Sequence, residues 1–587
     1  MPQKLAKIKH KSFALVVLAL LLIVPYSSSL INPAKATDPP LAYHATGVAY
    51  TKGSSSGGDY TYTYTSNNVY HVSQAGLKRL YEYGYGWHWY NVLDMYYTVN
   101  VGKPGRALPN VAKIEVNGEA KTDMNTIGGN SVYFWILNYT ASSWIPIGSF
   151  LGTTTDVLLS WTNTSNIQMQ NFVDDQGNMK LRWNFISDND LGDFSELYVD
   201  YLCVKLTMPQ FKWLFLVYLD ADWIRWIRDD MGRFFAWTGD ENATGQINEM
   251  ESVGSTSKVA VIVQVDWFDG NAERFFISKD ADSGTITSPV LQNLGEVNMS
   301  QPQPLTDFIN HSMTSFPADR VSLYLRNHGK GWQGVCEDCN GVYGNYSNPP
   351  PSDWLNMAEL KTGLSDAKSQ TGKAINLVGF EACLMQMEEV GYQIRNYANV
   401  MVASEEVMRA DRSFHFDSIL TYLTSNPTAS EYSLGSTIVD YEHAQYTMSS
   451  VNVTKEENLA TALDAYAASL CNKLSNTTIR NGISDCRAKA QQFFYAYYVD
   501  LYNFTKATLN LNDSDISTAA NNLISAITNQ LVLKEWHTSG YDAHGVSIFF
   551  PASAGAYSPV KTDYSTLDLS QRTGTTWYSF LNSYLDV

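Results

Sequence analysis

Two short apolar runs in the middle of the chain have the pattern of buried strands. The first is VSLYLRNHG, Val321–Gly329, and the second is INLVGFEAC, Ile375–Cys383. Both are rich in β-branched and aromatic residues. Met357–Ala367 between them predicts a helix, which makes a βαβ unit with two parallel strands. Because parallel strands end at the same edge of a sheet, His328 and Cys383 are expected to lie side by side there.

A second helical pattern follows Cys383 directly. Its apolar or small positions are Leu384, Met387, Gly391, Ile394 and Ala398. The positive end of a helix at this place would favour a thiolate on Cys383. A free thiol has a pKa of about 8.5, so it needs such help to ionise at neutral pH.

A cysteine beside a histidine forms a pair of nucleophile and base. Gly329 has no side chain, so a substrate carbonyl can approach the backbone next to His328. The N–H groups of Gly329 and Cys383 are the predicted donors to an oxyanion. Spacing alone also allows another interpretation, in which the cysteine is buried and structural and the histidine is a cap.

Two motifs carry a resemblance to a known family. NHGKGW, Asn327–Trp332, and FEACLM, Phe380–Met385, resemble the clostripain family of cysteine peptidases, in the clan of caspases, gingipains and legumain. The further segments that are similar in order are KWLFLVYLDAD (212–222), VAVIVQVD (259–266), PADR (317–320), VASEE (402–406) and GVSIFFP (545–551). The similarity implies an α/β fold, a caspase-like three-layer α/β/α sandwich with a mostly parallel sheet. It also implies a cysteine endopeptidase with a His328–Cys383 dyad.

The resemblance extends to the specificity pocket. The family places an acidic residue two positions before the cysteine, usually Asp, where it accepts a basic P1 side chain. That residue is Glu381 here, and Asp411 is a second candidate acid. A carboxylate suits the planar donor fork of arginine, but the longer side chain of Glu381 leaves the choice between arginine and lysine open. The expected partners are therefore polypeptides with Arg or Lys at P1.

The sequence gives little support for a metal site or for binding to nucleic acid. Some members of the resembled family depend on calcium, which keeps calcium a candidate, although no DxDxDG-like loop is visible. We therefore predict no metal ligands and no required cofactor. The net charge is -18, and phosphate contacts need clustered Lys and Arg, so nucleic acid is excluded as a partner.

The amino terminus predicts export. Four lysines precede the apolar run Phe13–Val24, and Ala34–Ala36 then offers a small-residue cleavage site, so residues 1–36 are interpreted as a signal peptide. An uncleaved anchor is the alternative. The protein is thus expected to be secreted or on the cell surface, as a monomer. Ten Asn-x-Ser/Thr sequons are candidate glycosylation sites.

Residues 37–205 differ in composition from the rest. They alternate aromatic with polar residues between Gly, Asn and Ser turns, which predicts a β-sandwich. The aromatic rows are Tyr60, Tyr62 and Tyr64, then Tyr81, Tyr83, Tyr85, Trp87 and Trp89. They either fill the core or form a face for glycan, peptide or cell-surface contact. Residues 206–425 are predicted as the catalytic domain, and residues 426–587 as helices that complete it with a last strand near 544–551.

Six cysteines are present, and Cys383 is expected to stay free. In an exported chain, Cys336 and Cys339 predict a local disulfide, and Cys471 with Cys486 predicts a second. A zinc site at Cys336 and Cys339 would need two further ligands, which the neighbouring sequence lacks.

Two other functions fit the same residues. One is a cell-surface binding or adhesion protein with a degenerate peptidase fold, which the aromatic N-terminal segment favours and the intact His328 and Cys383 disfavour. The other is a transpeptidase that uses the dyad to cut and rejoin acyl groups.

Overall fold

The computed structural model describes residues 42–586, except 44, 46, 58–70, 83–85, 101–110, 127–128, 165–170, 175–177, 189–193, 229–233, 341, 343–351 and 410–413. The predicted signal peptide and the side chains of both aromatic rows therefore lie outside the described residues, as does Asp411. Within the described part, no helix has the length and apolar character needed to span a membrane.

The N-terminal part is all-β. Its described strands are β1 (Ala42–Tyr43), β2 (Gly47–Lys52), β3 (Ser54–Gly57), β4 (His71–Gln74), β5 (Gly76–Glu82), β6 (Gly86–Asn100), β7 (Lys113–Thr122), β8 (Ser131–Asn138), β9 (Ser143–Leu151), β10 (Val157–Asn163), β11 (Asn178–Asp188) and β12 (Glu196–Thr207). They form two antiparallel sheets. One has the order β10-β7-β12-β4-β3, with β1 beside β12, and the other has the order β2-β6-β11-β8-β9, with β5 beside β6.

Aromatic side chains fill the space between these two sheets. Phe134 on β8 stacks on Trp183 on β11, with ring centroids 4.1 Å apart. Gly118 on β7 of the other sheet faces both rings, because a Cβ built there would lie 2.7 Å from Phe134 and 2.8 Å from Trp183. The alternation of buried and half-buried residues along β7 fits a strand with one face in this core. Aromatic residues therefore fill the core here, while the two interpretations of the aromatic rows stay open, because the side chains of those rows lie outside the described residues.

Only residues 208–210 separate β12 from the first strand of the next part. The strands there are β13 (Phe211–Asp220), β14 (Ile224–Arg228), β15 (Phe234–Thr238), β16 (Val259–Asp266), β17 (Ala272–Phe276), β18 (Val290–Gly295), β19 (Ala318–Arg326), β20 (Val335–Asp338), β21 (Asp353–Leu355), β22 (Ile375–Glu381), β23 (Ala398–Ala403), β24 (Thr447–Asn452), β25 (Tyr498–Asp500), β26 (Val532–His537) and β27 (Ser547–Phe549).

The described helices are α1 (Asp240–Glu251), α2 (Pro302–Ser315), α3 (Met357–Thr371), α4 (Glu388–Ile394), α5 (Phe416–Ser425), α6 (Glu431–Tyr441), α7 (Glu456–Cys471), α8 (Thr477–Lys489), α9 (Leu501–Thr508), α10 (Ser514–Ala526), α11 (Ala554–Tyr557), α12 (Lys561–Ser565) and α13 (Trp577–Leu585).

A nine-stranded mixed sheet organises this part, in the order β18-β17-β16-β13-β19-β22-β23-β24-β26. The five strands from β16 to β23 in that order are parallel, and the edge strands are antiparallel. All side chains of β16 are buried, as expected for a parallel strand covered on both faces. Leu214 and Leu216 on β13 pack in the cluster that holds α2 and α3. Trp213 and Phe215 pack on the opposite face with α1, α5 and α6.

The predicted βαβ unit is present as β19, α3 and β22. Helix α3 begins at a capping box, in which Asn356 accepts from the N–H of Glu359 and the Glu359 carboxylate accepts from the N–H of Asn356. It ends at Gly372, which has a φ of 70°. The predicted start at Met357 is confirmed, and the helix continues to Thr371, past the predicted end at Ala367.

Two predicted elements differ from the structure. Residues 545–551 do form a strand, β27, but it pairs with β25 in a separate two-stranded sheet instead of the central one. The last strand of the central sheet is instead β26, Val532–His537, which the sequence did not predict as a strand. The part predicted as helices also contains β24, because Thr447–Asn452 is a run of largely buried residues that pairs with β23.

The described part of the loop 333–353, which follows the histidine motif, is partly buried. Val335–Asp338 is strand β20, fully buried and paired with β21. Neither predicted disulfide is formed, since all six cysteines are unbonded. Cys336 and Cys339 pack in different hydrophobic clusters. Cys471 instead forms a hydrogen bond with the side chain of Ser583.

The contact at Gly118 gives a test of the sandwich core. Replacing Gly118 by Val would press two methyl groups onto rings that already stack, so we expect the N-terminal part to lose about 1–3 kcal/mol of unfolding free energy. Differential scanning calorimetry measures this. Gly245→Ala is the control, because a Cβ there meets nothing within 4 Å and alanine favours the helix interior. Equal melting temperatures for Gly118→Val and wild type would contradict the packing described here.

Candidate active site

The two candidate catalytic residues follow paired strand ends. In the parallel register of β19 and β22, Arg326 lies opposite Glu381. His328 and Cys383 each come two residues later, so their segments run side by side. A Cβ placed on Gly329 would lie 2.3 Å from the carbonyl oxygen of Cys383 and 3.0 Å from its nitrogen. The backbones of the two segments are therefore in contact, and only glycine fits there.

The thiol of Cys383 is partly exposed and has a backbone donor beside it. The N–H of Met408, from the segment after β23, donates to Sγ at 3.3 Å. Burial raises the pKa of the Cys383 thiol, and the Met408 N–H lowers it in part. The sulfur is thus protonated at rest near neutral pH and needs a base to become a nucleophile.

The predicted helix at Cys383 is wrong. The chain after it turns sharply, with Leu384 at a φ of 66°, and helix α4 begins only at Glu388. Leu384 and Gln386 instead donate their N–H groups to the carbonyl oxygens of Glu406 and Ser404. The segment is therefore held against the end of β23, and no helix dipole assists the thiol.

The imidazole of His328 is neutral at physiological pH. Burial, together with the cation of Arg225, lowers its pKa to about 4, and the Glu337 carboxylate opposes this shift. Its Nε2 is buried and has no hydrogen-bond partner among the described residues. The indole of Trp223 meets the ring edge to face, with centroids 4.8 Å apart. A neutral imidazole with a free nitrogen is a competent general base.

Gly329 keeps its N–H available for a substrate. It forms an antiparallel bridge with Val335, and the hydrogen bonds of that bridge come from the flanking residues. Cys336 donates to the carbonyl oxygen of His328 at 3.1 Å, and Lys330 donates to that of Gly334 at 2.9 Å. The N–H of Gly329 is consequently not used within this hairpin, which suits the predicted role in an oxyanion hole.

Asn327 holds the histidine segment in place, and sequence reasoning missed it. Its Nδ2 donates to the carbonyl oxygens of Asp220 at 2.8 Å and Glu337 at 2.9 Å. Its Oδ1 accepts from the N–H groups of His328 and Glu337. One side chain thus ties the ends of β13, β19 and β20 together. The signal was available in the sequence, as a buried amide that ends an otherwise apolar strand.

Glu381, the predicted pocket acid, is buried and already has partners. Both of its carboxylate oxygens accept from Nε2 of Gln246, at 2.6 and 2.7 Å. The Nε of Arg326 lies 3.8 Å from Oε1. Burial raises the pKa of Glu381 to about 7, while Arg326 and Gln246 pull it down. The Glu381 carboxyl is therefore close to the segment of Cys383. It already interacts, however, with the internal cation of Arg326.

Further carboxyls gather around Glu381 from helices that sequence spacing could not place together. Glu249 lies one turn after Gln246 on α1, and burial and the neighbouring Asp417 raise its pKa to about 8. Glu442 accepts from the N–H of His415 at 2.9 Å and raises the pKa of that imidazole. Asp411, the second predicted acid, belongs to the undescribed residues 410–413, which precede His415 in the sequence. Among the described residues, no three His, Cys, Asp or Glu side chains are arranged to hold a metal ion.

Comparisons with known proteins agree on one family. The model of the clostripain family matches residues 238–584, more than half of the chain. A protein named clostripain from Hathewaya histolytica is 25% identical over 348 residues, which cover 49% of this chain and 63% of the relative. The chain thus spans less than two thirds of that relative's length. The sandwich, β1 to β12, lies outside the residues that the family model matches.

Two solved structures are similar to the chain. One is an inactive zymogen C11 protease from Parabacteroides distasonis, with 17% identity and a TM-score of 0.43 over 62% of this chain and 98% of the other. The second is a secreted C11 cysteine protease from Bacteroides thetaiotaomicron in complex with an irreversible peptide inhibitor. It has 17% identity and a TM-score of 0.41 over 63% of this chain and 99% of the other.

The low pKa of His328 makes a prediction about stability. The imidazole of His328 prefers to be neutral in the folded protein. Its contribution to the free energy of unfolding is therefore fully present above the unfolded pKa of about 6.5 and is lost as the pH falls through about 4. We expect His328→Asn to reduce the acid destabilisation between these values by up to about 3 kcal/mol. Urea unfolding of both proteins at pH 7 and pH 4 measures it. An equal loss of stability in both proteins would show that His328 is not a buried neutral group.

Proposed function

The chain belongs to the clostripain family, and we propose that it is a secreted cysteine endopeptidase that hydrolyses peptide bonds after arginine or lysine. The observation that carries the proposal is the contact between the His328–Gly329 and Cys383 segments at the ends of two parallel strands. A sheet with helices packed on both faces supports the further proposal of a caspase-like three-layer domain.

The first half of the reaction forms a covalent intermediate. The His328 imidazole removes the thiol proton of Cys383, and the sulfur attacks the carbonyl carbon of the substrate. The negative charge that develops on the carbonyl oxygen is accepted by the N–H groups of Gly329 and Cys383. The imidazolium then gives its proton to the leaving amine, and a thioester to Cys383 remains. Asn327 holds the imidazole segment in register throughout.

The second half releases the product. A water molecule loses a proton to the neutral His328 and attacks the thioester, which returns the proton and the electron pair to Cys383 as a thiol. An amine in place of this water would give a transpeptidase, which the same dyad allows. Neither half requires a metal, so we propose that calcium, if it binds, acts on the fold and not on the bond that breaks.

The acidic surroundings of Glu381 support a preference for basic side chains. Glu249 and Glu442 act on it electrostatically, Asp417 bonds to Glu249, and the whole chain carries a net charge of -18. A desolvated carboxylate attracts a guanidinium strongly, because little water screens the pair. Arg326 and Nε2 of Gln246 already contact Glu381, so a substrate cation would share the carboxylate with them. Asp411 remains the proposed second acid of this pocket.

Removing either member of the dyad should stop turnover. We expect Cys383→Ala and His328→Ala each to lower kcat/KM on an arginyl fluorogenic peptide by about 1000-fold or more, because the nucleophile or its base is lost. Cys471→Ala is the matched control, since Cys471 is also a partly buried thiol but lies at the end of α7. It should keep wild-type activity.

Three outcomes would contradict the proposal or change its class. Full activity in Cys383→Ala would show that Cys383 is not the nucleophile and would contradict the dyad. A purified wild type that neither turns over substrate nor reacts with an arginyl chloromethyl ketone would favour a binding protein with a degenerate peptidase fold. Products that incorporate added amines in preference to water would favour the transpeptidase.

Neutralising Glu381 should remove the preference for a charged P1 side chain. We expect Glu381→Gln to lower kcat/KM for an arginine substrate by about 30-fold or more, since a desolvated charged pair is worth about 2–5 kcal/mol. The same peptide with citrulline, which has the shape of arginine without its charge, should be affected far less. Asp319→Asn is the control, because Asp319 is an exposed carboxylate at the opposite end of β19. An unchanged ratio of arginine to citrulline turnover would exclude Glu381 from the pocket.

A further inference from the structure

One face of the N-terminal sandwich combines aromatic rings with fixed polar groups. We call it the aromatic face, defined by Asp94, Tyr96, Tyr133, Trp135, Trp144, Lys180, Arg182 and Asn184 on strands β6, β8, β9 and β11. Their neighbours along β6, β8 and β11 are fully buried in the core, so these side chains point away from it. No relative reported above bears on this face, because the family match begins at residue 238.

Strand register places the residues of the aromatic face in two adjacent rows. Arg182 on β11 lies opposite Tyr96 on one side and Trp135 on the other. Asn184 lies in the same way between Asp94 and Tyr133. Neighbouring strands are about 4.8 Å apart, so the face extends over roughly 14 Å from β6 to β9. That length accommodates several units of a linear polymer.

The rings form a shallow platform. Tyr133 is 42% exposed, and its ring lies 6.0 Å from that of Trp135 with the two planes inclined by only 32°. The guanidinium of Arg182 stands over Trp144, 5.4 Å from the ring centroid, and Lys180 lies 4.8 Å from the ring centroid of Tyr96. Each ring is thus bordered by a polar or charged side chain on the same surface.

The polar groups are oriented before any ligand arrives. Arg182 donates to both carboxylate oxygens of Asp94, at 2.6 and 2.8 Å. The indole N–H of Trp135 donates to Oδ1 of Asn184 at 2.6 Å. A guanidinium has five N–H donors and a carboxylate has about four acceptor positions, so these bonds use only part of the capacity of each group. Donors and acceptors therefore stand in fixed positions beside the rings.

A sugar chain has the chemistry that matches this arrangement. The flat face of a pyranose presents C–H groups that pack on an aromatic ring, and its edge presents hydroxyls that both donate and accept. A protein partner would need a contiguous apolar centre, and here Asp94, Lys180, Arg182 and Asn184 lie among the rings. A polyanion would be repelled by a chain of net charge -18.

We propose that the aromatic face binds an uncharged polysaccharide chain, with Tyr133 and Trp135 stacking on its sugar rings and with Asp94, Arg182 and Asn184 bonding to its hydroxyls. The proposal concerns a region outside the family match and does not depend on the proposed peptidase activity. In this proposal, the sandwich binds the protein to a polysaccharide surface.

Affinity electrophoresis of the full chain tests the proposal. Gels contain β-glucan, galactomannan or hydroxyethyl cellulose as neutral probes, and heparin as a polyanion. We expect at least one neutral polymer to retard the wild type, and Tyr133→Ala and Trp135→Ala each to weaken that retardation about 10-fold or more. Tyr198→Ala is the matched control, because Tyr198 lies on β12 in the other sheet. It should bind as the wild type does.

Circular dichroism and thermal melting show whether each variant is folded. If Trp135→Ala does not fold, Tyr133→Ala decides, since the ring of Tyr133 is exposed and its loss leaves the core intact. Absence of retardation by every neutral polymer, retardation by heparin alone, or unchanged retardation of the folded variants would each overturn the proposal. Hydrolysis of an arginyl peptide, measured in parallel, should be equal in wild type and all three variants.

Discussion

The candidate site depends on one register, the parallel pairing of β19 with β22. Because Arg326 lies opposite Glu381, the residues that follow each strand meet in pairs at the same sheet edge. A shift of one residue would turn every side chain of β22 to the other face and move the Cys383 segment out of line with the His328 segment. Asn327 protects this alignment, since it bonds to three strand ends at once and leaves none of its own polar atoms unused.

Sequence periodicity predicted the elements that are decided locally. The strands β13, β16, β19 and β22 are continuous apolar runs, and α3 has a capping box at one end and a glycine at the other. These signals lie within a few residues of the elements that they define. The strand ends then followed from topology alone, which is why the contact between the segment of His328 and Gly329 and the segment of Cys383 could be anticipated from the sequence.

The errors came from contacts between distant segments. The residues after Cys383 do have helical spacing. The N–H groups of Leu384 and Gln386 nevertheless bond to the segment at the end of β23, so α4 begins only at Glu388. The half-exposed strand β26 was not predicted, because its place in the central sheet depends on its pairing with β24. Likewise, Gln246 and Glu249 reach Glu381 across more than 130 positions of chain. Side-chain partners at such separations leave no periodic trace in a sequence.

The buried carboxyl of Glu381 balances two demands. Desolvation favours its protonated form, and Arg326 and Gln246 favour the charged form, so the group titrates near neutral pH. A second cation beside it would tilt this balance toward the carboxylate. Binding of a basic side chain and release of a proton are therefore linked processes at this residue.

The connection between the sandwich and the central sheet has a mechanical consequence. Residues 208–210 are the whole link between β12 and β13, Met208 is buried, and the apolar core is continuous across the junction. A three-residue link spans at most about 14 Å even when extended. If the sandwich is held on a surface, the sheet edge that carries Cys383 stays at a nearly constant height and angle above it. Such a molecule would cleave only those substrates that extend to that height above the surface. It would reach a new substrate only when the whole protein detaches or slides along the surface.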